Sequence, residues 1–347
     1  MANLKVHLQL RKVFPDHMSS ENSANNQNAD KSASHQAIAT AIEKALQNLK
    51  ASEQNGWWPY VGQLGPSIEA TSWCALALHA TGPDKESNSK TTTFLLEKQN
   101  ADGGWSTAPG CGKSDWSSSP AVLALRLLNE KDALTEQPKV EKAILSGSNF
   151  IFDLRTDPYH SIARLLLFLS KGEEGLKYAR GWPWNRDCSY WVEPTVYSLL
   201  ALKLPTVPDR HIIKAAIRHA SLYLHEHTCR GGGWNHGAAL VLNVYAPPYT
   251  ITTAEALLAL QDEPRSLTIE KGLEFLQHNH KDSDSSLTLA WTVLALHAYE
   301  KPIATKVLQL LAHQKEDGGF GTNNMVTAIS VLALLAASRD FNLLKLR

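Results

Sequence analysis

The chain has 347 residues, of which 43% are hydrophobic and 20% are charged, with 34 basic against 34 acidic side chains. This charge balance offers no electrostatic attraction to nucleic acid, so we expect no nucleic-acid partner. The four cysteines are widely spaced and contain no C-x-x-C pair. They give no sign of a disulfide framework or a structural zinc site, which favours a cytoplasmic location.

The first 36 residues are predicted to be a flexible lead-in to a single domain over residues 37–347. Residues 18–35 are polar and lack aromatic side chains, so they cannot bury enough apolar surface to fold alone. The preceding stretch "LKVHLQLRKVF" is amphipathic, and we regard it as a candidate for peripheral contact with a membrane. No apolar run in the sequence reaches transmembrane length.

Six Ala/Leu segments recur along the domain: "EATSWCALAL", "WSSSPAVLAL", "EPTVYSLLAL", "ITTAEALLAL", "LTLAWTVLAL" and "MVTAISVLAL". Seven residues before the final leucine of each segment stand Thr71, Ser118, Thr195, Thr253, Leu289 and Thr327. Five hydroxyls in six copies, each before an apolar run, predict a shared helix start. Because the segments are apolar nearly all round, they are predicted to be buried helices.

More amphipathic helices are predicted between these segments, in "AIATAIEKALQNLK", "TTTFLLEKQN", "KVEKAILSGSNFIF", "DRHIIKAAIRHASLYLHEH", "IEKGLEFLQHNH" and "ATKVLQLLAHQ". Their apolar residues recur at helical spacing, which is typical of helices that lie on a core. Buried and amphipathic helices therefore alternate six times. This order predicts an all-α fold, an (α/α)6 toroid with an inner ring of six helices inside an outer ring of six.

A second repeat lies in the loops, where "QNADGGW", "TCRGGGW" and "QKEDGGF" end at Trp105, Trp234 and Phe320. A degenerate copy, "ASEQNGW", ends at Trp57. We expect the glycines to end the outer helix through a positive φ angle, with the aromatic ring packed over the turn.

The segments "FLLEKQNADGGW" and "LLAHQKEDGGF" resemble the glutamine–tryptophan repeats of squalene–hopene and oxidosqualene cyclases. The Ala/Leu helices resemble the inner helices of that superfamily and of protein prenyltransferase β subunits. The resemblance covers roughly residues 37–337 and implies the α/α toroid. Full triterpene cyclases have two such domains, whereas this chain has residues for one. It also departs from the family because no D-x-D-D motif occurs.

Most of the ten tryptophans fall in or beside the loops that precede the inner helices. Aromatic π-faces there could line an apolar pocket and stabilise a carbocation, or they could pack the loops onto the barrel. The aromatics predicted to line the cavity are Trp58, Trp116, Trp182, Trp184, Trp191, Tyr245 and Tyr249.

The resemblance also implies where a catalytic acid would stand. In the hopene cyclases the proton donor lies two residues before the threonine that matches the repeat threonine here. This slot holds an acid in two copies, Glu69 and Glu193. In the other four copies it holds Trp116, Ile251, Leu287 and Met325. We expect Glu193 to be the acid and Glu69 a second polar group; alternatively, Glu193 caps its helix by accepting backbone N–H bonds.

Asp284, in "DSDSS", is a third candidate for a catalytic carboxylate, although it lies three residues too early for the family slot. The alternative for this string is a polar turn that caps the fifth inner helix. The zinc ligands of prenyltransferase β subunits are not matched, because Asp187 stands directly beside Cys188 and His236 is only loosely placed. No metal and no cofactor are therefore predicted.

These features favour a protein that binds an apolar, isoprenoid-like small molecule in an aromatic-lined cavity. If the protein is catalytic, we expect proton-initiated cyclisation or isomerisation without metal or cofactor. Two alternatives remain open at this point. One is a non-catalytic binding or scaffold toroid, and the other is a glycosidase that uses a pair of carboxylates and sugar-stacking tryptophans.

Overall fold

Twelve α-helices alternate between two concentric rings in the part of the chain that the computed structural model describes. The described residues are 23–82, 84–129, 137–155, 169, 179–205, 210–238, 240–241, 244–278 and 285–346. The outer helices are α1 (Ser23–Ser52), α3 (Lys85–Lys98), α5 (Gln137–Asp153), α7 (His211–Glu226), α9 (Leu267–His278) and α11 (Ala304–Ala312). The inner helices are α2 (Ile68–Thr81), α4 (Ser118–Leu128), α6 (Val192–Lys203), α8 (Thr250–Ala259), α10 (Ser286–Ala298) and α12 (Asn324–Arg339).

The inner helices form a closed ring, because each packs on the next in chain order and α12 packs on α2. The outer helices cover this ring: α1 packs on α12, α3 on α2 and α4, and the others similarly on the inner helices beside them. The Ala/Leu segments are buried along nearly their whole length. The predicted all-α toroid of six inner and six outer helices is therefore confirmed.

Two short antiparallel hairpins stand in the loops that precede inner helices. In the first, β1 (Trp182–Pro183) pairs with β2 (Tyr190–Trp191) just before α6. In the second, β3 (Leu240–Val241) pairs with β4 (Val244–Tyr245) before α8. Both lie at the end of the barrel where the inner helices begin.

Helix α1 begins at Ser23, earlier than the ordered start that the sequence predicts near residue 37. Among the side chains described, Ile38 is the first that is buried in the core. The division of the chain at residue 36 stays a prediction. None of the described helices is both long and apolar enough to cross a membrane. The amphipathic stretch 4–14, predicted to contact a membrane surface, lies outside the described residues.

The repeat hydroxyls lie in the first turn of their helices, but none is the N-cap residue. The N-cap positions are instead Ser67, Ser117, Trp191, Tyr249 and Asn323. Each hydroxyl accepts a hydrogen bond of 2.7–2.9 Å from the backbone N–H of a loop aromatic. The five pairs are Thr71 with Trp58, Ser118 with Trp105, Thr195 with Trp182, Thr253 with Trp234, and Thr327 with Phe320.

Each tryptophan of these five pairs also binds the preceding outer helix. Its indole Nε1 donates to a helix carbonyl at 2.6–2.8 Å, as Trp58 does to Leu49 and Trp182 to Ile151. We call this arrangement the hydroxyl–aromatic clamp. It places Trp58 and Trp182 between the two rings, which corrects their predicted position on the cavity wall. It also shows that Trp58, and not Trp57, is the repeat aromatic of the first copy.

The loop glycines follow the ends of the outer helices by several residues and do not end them. Gly103 has a φ of 87°, and a Cβ there would lie 2.8 Å from the backbone oxygen of Ser146 in α5. Gly318 has the same φ, and a Cβ there would lie 2.4 Å from the carbonyl of Lys44 in α1. Glycine is therefore required at these positions both by conformation and by the close approach of the next outer helix.

We predict that Thr253→Val lowers the free energy of unfolding by about 1–3 kcal/mol, because it leaves the buried N–H of Trp234 without an acceptor. Urea unfolding followed by tryptophan fluorescence measures this change. The matched control is Thr81→Val, because the hydroxyl of Thr81 donates to the Leu78 carbonyl of its own helix and makes no other hydrogen bond within the described chain. Equal losses in the two variants would show that the clamp does not stabilise the fold.

Candidate functional site

The clamp fixes which face of each inner helix points into the lumen. The clamp hydroxyl faces the outer ring. A residue two positions before or after it is rotated by about 200° about the helix axis and therefore points toward the lumen. Residues at these two positions therefore share the inward face, one helical turn apart. Glu69 and Trp73 form such a pair on α2, and Glu193 and Tyr197 form one on α6.

Three aromatic rings meet on the barrel axis, one turn below the helix starts. Trp73, Tyr197 and Trp291 come from α2, α6 and α10, which are alternate helices of the inner ring. Their ring centroids lie 6.2 Å (Trp73–Tyr197), 5.5 Å (Trp73–Trp291) and 6.3 Å (Tyr197–Trp291) apart. Helices that are not neighbours can make such contacts only through the centre of the barrel. We call these three residues the aromatic floor.

Above the floor, the position two residues before each repeat hydroxyl, or before Leu289 on α10, supplies a ring of six side chains. This mouth ring consists of Glu69, Trp116, Glu193, Ile251, Leu287 and Met325. Four of its members are partly accessible, whereas Trp73 and Trp291 in the floor are 1% and 0% exposed. Around the ring, the two acids stand on either side of Trp116, and the three aliphatic side chains follow on α8, α10 and α12. The mouth ring is thus acidic and aromatic on one side and aliphatic on the other.

Glu69 is a buried carboxyl, only 5% exposed. Burial, together with the nearby negative charge of Asp115, raises its pKa from 4.5 to about 8. The hydroxyl of Tyr60 donates a hydrogen bond to Oε2 of Glu69. The Tyr60 backbone is itself held by α12, because the N–H of Asn324 donates to its carbonyl at 2.9 Å. Glu69 is therefore held protonated near neutral pH, with a hydrogen-bond donor at its side.

Glu255, on α8, is a second buried carboxyl that faces the lumen. Burial raises its pKa well above the ordinary value, and the charges of Glu193 and Glu69 add to this effect. The Tyr197 hydroxyl is hydrogen-bonded to it, which favours the charged form and partly opposes the shift. Within the described chain, Oε2 of Glu255 has no hydrogen-bond partner. The sequence analysis did not identify this residue.

Glu193 joins the lumen to the surface of the barrel mouth. Its side chain is 13% exposed, and Oε1 is paired with Nδ1 of His236, whose side chain is 49% exposed. Its Oε2 is buried, without a partner among the described residues. The imidazole lies 5.5 Å from the ring of Trp191 and 5.1 Å from that of Tyr249. Because its partner is a histidine and not a backbone N–H, Glu193 does not cap its helix.

A pocket of about 390 Å³ opens beside the mouth ring. It is lined by residues 113–116 and 184–187. Trp116 joins this pocket to the lumen, because its ring lies 4.9 Å from that of Trp184 and stacks at 5.7 Å on Tyr197. Asp115 in the pocket wall holds its loop in place, because its carboxylate accepts hydrogen bonds from Thr107 and Ser117.

The remaining predicted residues are dispersed. Tyr245 is 56% exposed on the β3–β4 hairpin, where the Arg230 guanidinium lies 4.9 Å from its ring centroid. Asp284 lies outside the described residues. His236 pairs with Glu193 and not with Asp187 or Cys188, and no group of three ligand-type side chains in the described chain could hold a metal ion.

The sequence analysis missed the aromatic floor and Glu255, although a signal for them was present. All four residues stand two positions after the repeat hydroxyl or, on α10, after the matching leucine. This position lies one helical turn from the proton-donor slot and so must share its face. The pairing of Glu193 with His236 and of Glu69 with Tyr60 had no comparable signal, because each joins different segments of the chain.

Comparison with solved structures shows the fold that this chain shares. The type II terpene cyclase MstE from Scytonema, in complex with geranylgeranyl dihydroxybenzoate, matches with a TM-score of 0.60 and 13% identity over 88% of this chain and 99% of its own. A protein from Actinoplanes matches with a TM-score of 0.55 and 16% identity, over 87% of this chain and 99% of its own.

An unsaturated glucuronyl hydrolase specific for heparin also matches, with a TM-score of 0.56 and 11% identity over 89% of this chain and 98% of its own. The fold is therefore shared by a terpene cyclase and by a hydrolase of sugars. No family model and no curated protein matches the sequence.

We predict that the stability of the protein falls as the pH rises from about 5 to about 8. The folded state retains the proton of Glu69 over this range, whereas the unfolded chain releases it near pH 4.5. One such group lowers the free energy of unfolding by about 1.4 kcal/mol per pH unit, and the loss levels off above the folded pKa. Glu69→Gln removes this contribution and should flatten the profile.

Urea unfolding at a series of pH values measures this slope. The control is Glu43→Gln, on the exposed face of α1, which should leave the slope unchanged. If Glu69→Gln and the unmodified protein keep the same slope, Glu69 is not held protonated in the folded state.

Proposed function

We propose that the protein catalyses the proton-initiated cyclisation or isomerisation of an isoprenoid that is bound at the mouth ring, above the aromatic floor. The observation that carries this proposal is a neutral, buried carboxyl, Glu69, placed above three aromatic rings on the barrel axis. Protonation of an alkene requires an acid that is protonated at working pH, a pocket without bulk water, and stabilisation of the cation that forms.

Glu69 is the proton donor in this proposal. Its O–H bond breaks, the proton forms a C–H bond with the terminal alkene of the substrate, and the alkene electron pair makes that bond. The adjacent carbon becomes a carbocation, and Glu69 becomes a carboxylate. The Tyr60 hydroxyl then stabilises this carboxylate through the hydrogen bond that it already donates. Such a donor lowers the cost of charge separation in a medium of low dielectric constant.

The aromatic residues supply the wall for the cation. Trp116 in the mouth ring stacks on Tyr197, and Tyr197 contacts both tryptophans of the floor. Their π-faces carry negative charge density and so attract a carbocation. The aliphatic side chains of Ile251, Leu287 and Met325 face these rings and suit the hydrocarbon chain of an isoprenoid. The terpene cyclase MstE, which shares the fold, binds a geranylgeranyl compound.

The acid role falls to Glu69 and not, as the sequence suggested, to Glu193. Glu69 is almost completely buried and bonds to a phenol. Glu193 is partly exposed and pairs with a half-exposed histidine, which gives it a route to water. The catalytic role of Asp284 stays a prediction, because this residue lies outside the described residues.

Glycoside hydrolysis is the second candidate, and one observation favours it. Glu69 and Glu193 stand on either side of Trp116, an arrangement of two carboxylates and a flat ring that also suits a sugar. The heparin-specific glucuronyl hydrolase shares the fold. The burial of Glu69 and the aliphatic side of the mouth ring favour the isoprenoid over the sugar.

We predict that Glu69→Gln lowers the rate of isoprenoid conversion by about a hundredfold or more, because glutamine cannot donate the proton. Tyr60→Phe should lower it by about tenfold to a hundredfold, the effect of one hydrogen bond to a charged group. Purified protein is incubated with farnesol, geranylgeraniol or squalene, and the lipid extract is analysed by gas chromatography and mass spectrometry. Glu43→Gln serves as the control.

Each outcome of this experiment has a defined meaning. Conversion by Glu69→Gln at the unmodified rate would exclude Glu69 as the acid. Binding of an isoprenoid without conversion by the unmodified protein would favour a binding or scaffold protein. If no isoprenoid is bound but an unsaturated glucuronide is hydrolysed, the glycosidase function replaces the proposal.

A further inference from the structure

The lumen holds three described carboxyl groups in two kinds of environment. Glu69 and Glu255 are both buried, and each lies beside a tyrosine hydroxyl. Glu193 differs from both because it bonds to an imidazole, which lies at the surface. When carboxyl groups in one site have distinct surroundings, those surroundings assign the acid and the base.

The two oxygens of Glu193 face different parts of the molecule. Oε1 bonds to His236 at the mouth, whereas Oε2 is buried and has no partner in the described chain. Glu193 stands one helical turn before Tyr197 on the inward face of α6, so its carboxyl group reaches the lumen side of that helix. One carboxylate thus connects the site of the carbocation with a side chain that contacts water.

The position of His236 is fixed from several sides. Its carbonyl accepts a bond of 3.2 Å from the N–H of Val192, the first residue of α6. Its ring lies between Trp191 and Tyr249. The next residue, Gly237, has a φ of 120°, and a Cβ there would lie 2.7 Å from the Tyr223 hydroxyl. The chain therefore presents the imidazole to Glu193 in one orientation.

We propose that Glu193 is the base that ends the reaction, and that His236 is the residue that positions it. This inference rests on the proposed function. The hydrogen bond between Nδ1 of His236 and Oε1 fixes the carboxyl group and leaves Oε2 free to accept a proton.

The proton balance of the cycle is complete. The C–H bond beside the cationic carbon breaks, its electron pair forms the new alkene, and the proton bonds to Glu193. Glu193 then releases this proton to water at the mouth, and Glu69 regains one from water before the next turnover. The reaction is therefore a net isomerisation. Acid and base stand on α2 and α6, on either side of Trp116, so the cation forms beside one carboxyl and is quenched beside the other.

The test distinguishes the residue that starts the reaction from the residue that ends it. With farnesol and geranylgeraniol as probes, we measure substrate consumption and the ratio of products for Glu69→Gln, Glu193→Gln and His236→Gln. Glu69→Gln should abolish consumption. Glu193→Gln should lower consumption by only about tenfold but change the products, because the cation then loses a different proton or captures water to form an alcohol. His236→Gln should change the product ratio in the same direction, to a smaller extent.

Two results would overturn the inference while the proposed function stands. If Glu193→Gln abolishes consumption as fully as Glu69→Gln, then Glu193 acts at the start of the reaction. If Glu193→Gln gives an unchanged product ratio, the proton goes to another acceptor. Conversion of no isoprenoid by the unmodified protein would instead refute the proposed function, and the assignment of the base with it. Thermal unfolding of each variant checks that the fold is retained.

Discussion

The hydroxyl–aromatic clamp is the interaction on which the rest of the structure depends. In four of the six repeats it joins three parts of the repeat, because the loop tryptophan bonds to the inner helix through its backbone and to the outer helix through its indole. A buried backbone N–H and an indole N–H both require acceptors, so the loop has one low-energy position. The clamp sets the rotation of the inner helices that carry a repeat hydroxyl, and that rotation decides which side chains enter the lumen.

The lumen follows from this rotation. With the hydroxyls turned outward, the positions two residues away on either side turn inward and form two layers. The upper layer brings two acids and Trp116 together with aliphatic side chains, and the lower layer brings three aromatic rings to the axis. The polar side chains of the lower layer are poorly satisfied. The indole nitrogens of Trp73 and Trp291 have no partner among the described residues, whereas every clamp tryptophan is bonded.

Electrostatics then differentiates the carboxyl groups. Removal from water disfavours the charged form of Glu69 and Glu255. Repulsion from Asp115 acts in the same direction on Glu69, and repulsion from Glu193 and Glu69 does so on Glu255. Glu193 differs from both because it reaches a histidine at the mouth. A barrel that held three equivalent acids would give the proposed reaction no direction for proton flow. In that proposal the difference in surroundings supplies one, from the neutral acid on α2 to the acceptor on α6.

The sequence by itself determined the number of helices and their alternation, whereas the acid slot came only from the resemblance to the hopene cyclases. The number and the order of the helices are local features, because helical period, capping chemistry and the spacing of apolar residues are read within a few turns. The register of the first loop aromatic, Trp58 in place of Trp57, was decided by tertiary structure, since either ring fits the local pattern. Tertiary structure also decided the aromatic floor and the hydrogen-bond partners of Glu69 and Glu193. Each of these joins residues far apart in the chain, and no local preference specifies which residues a closed ring of helices brings to its axis.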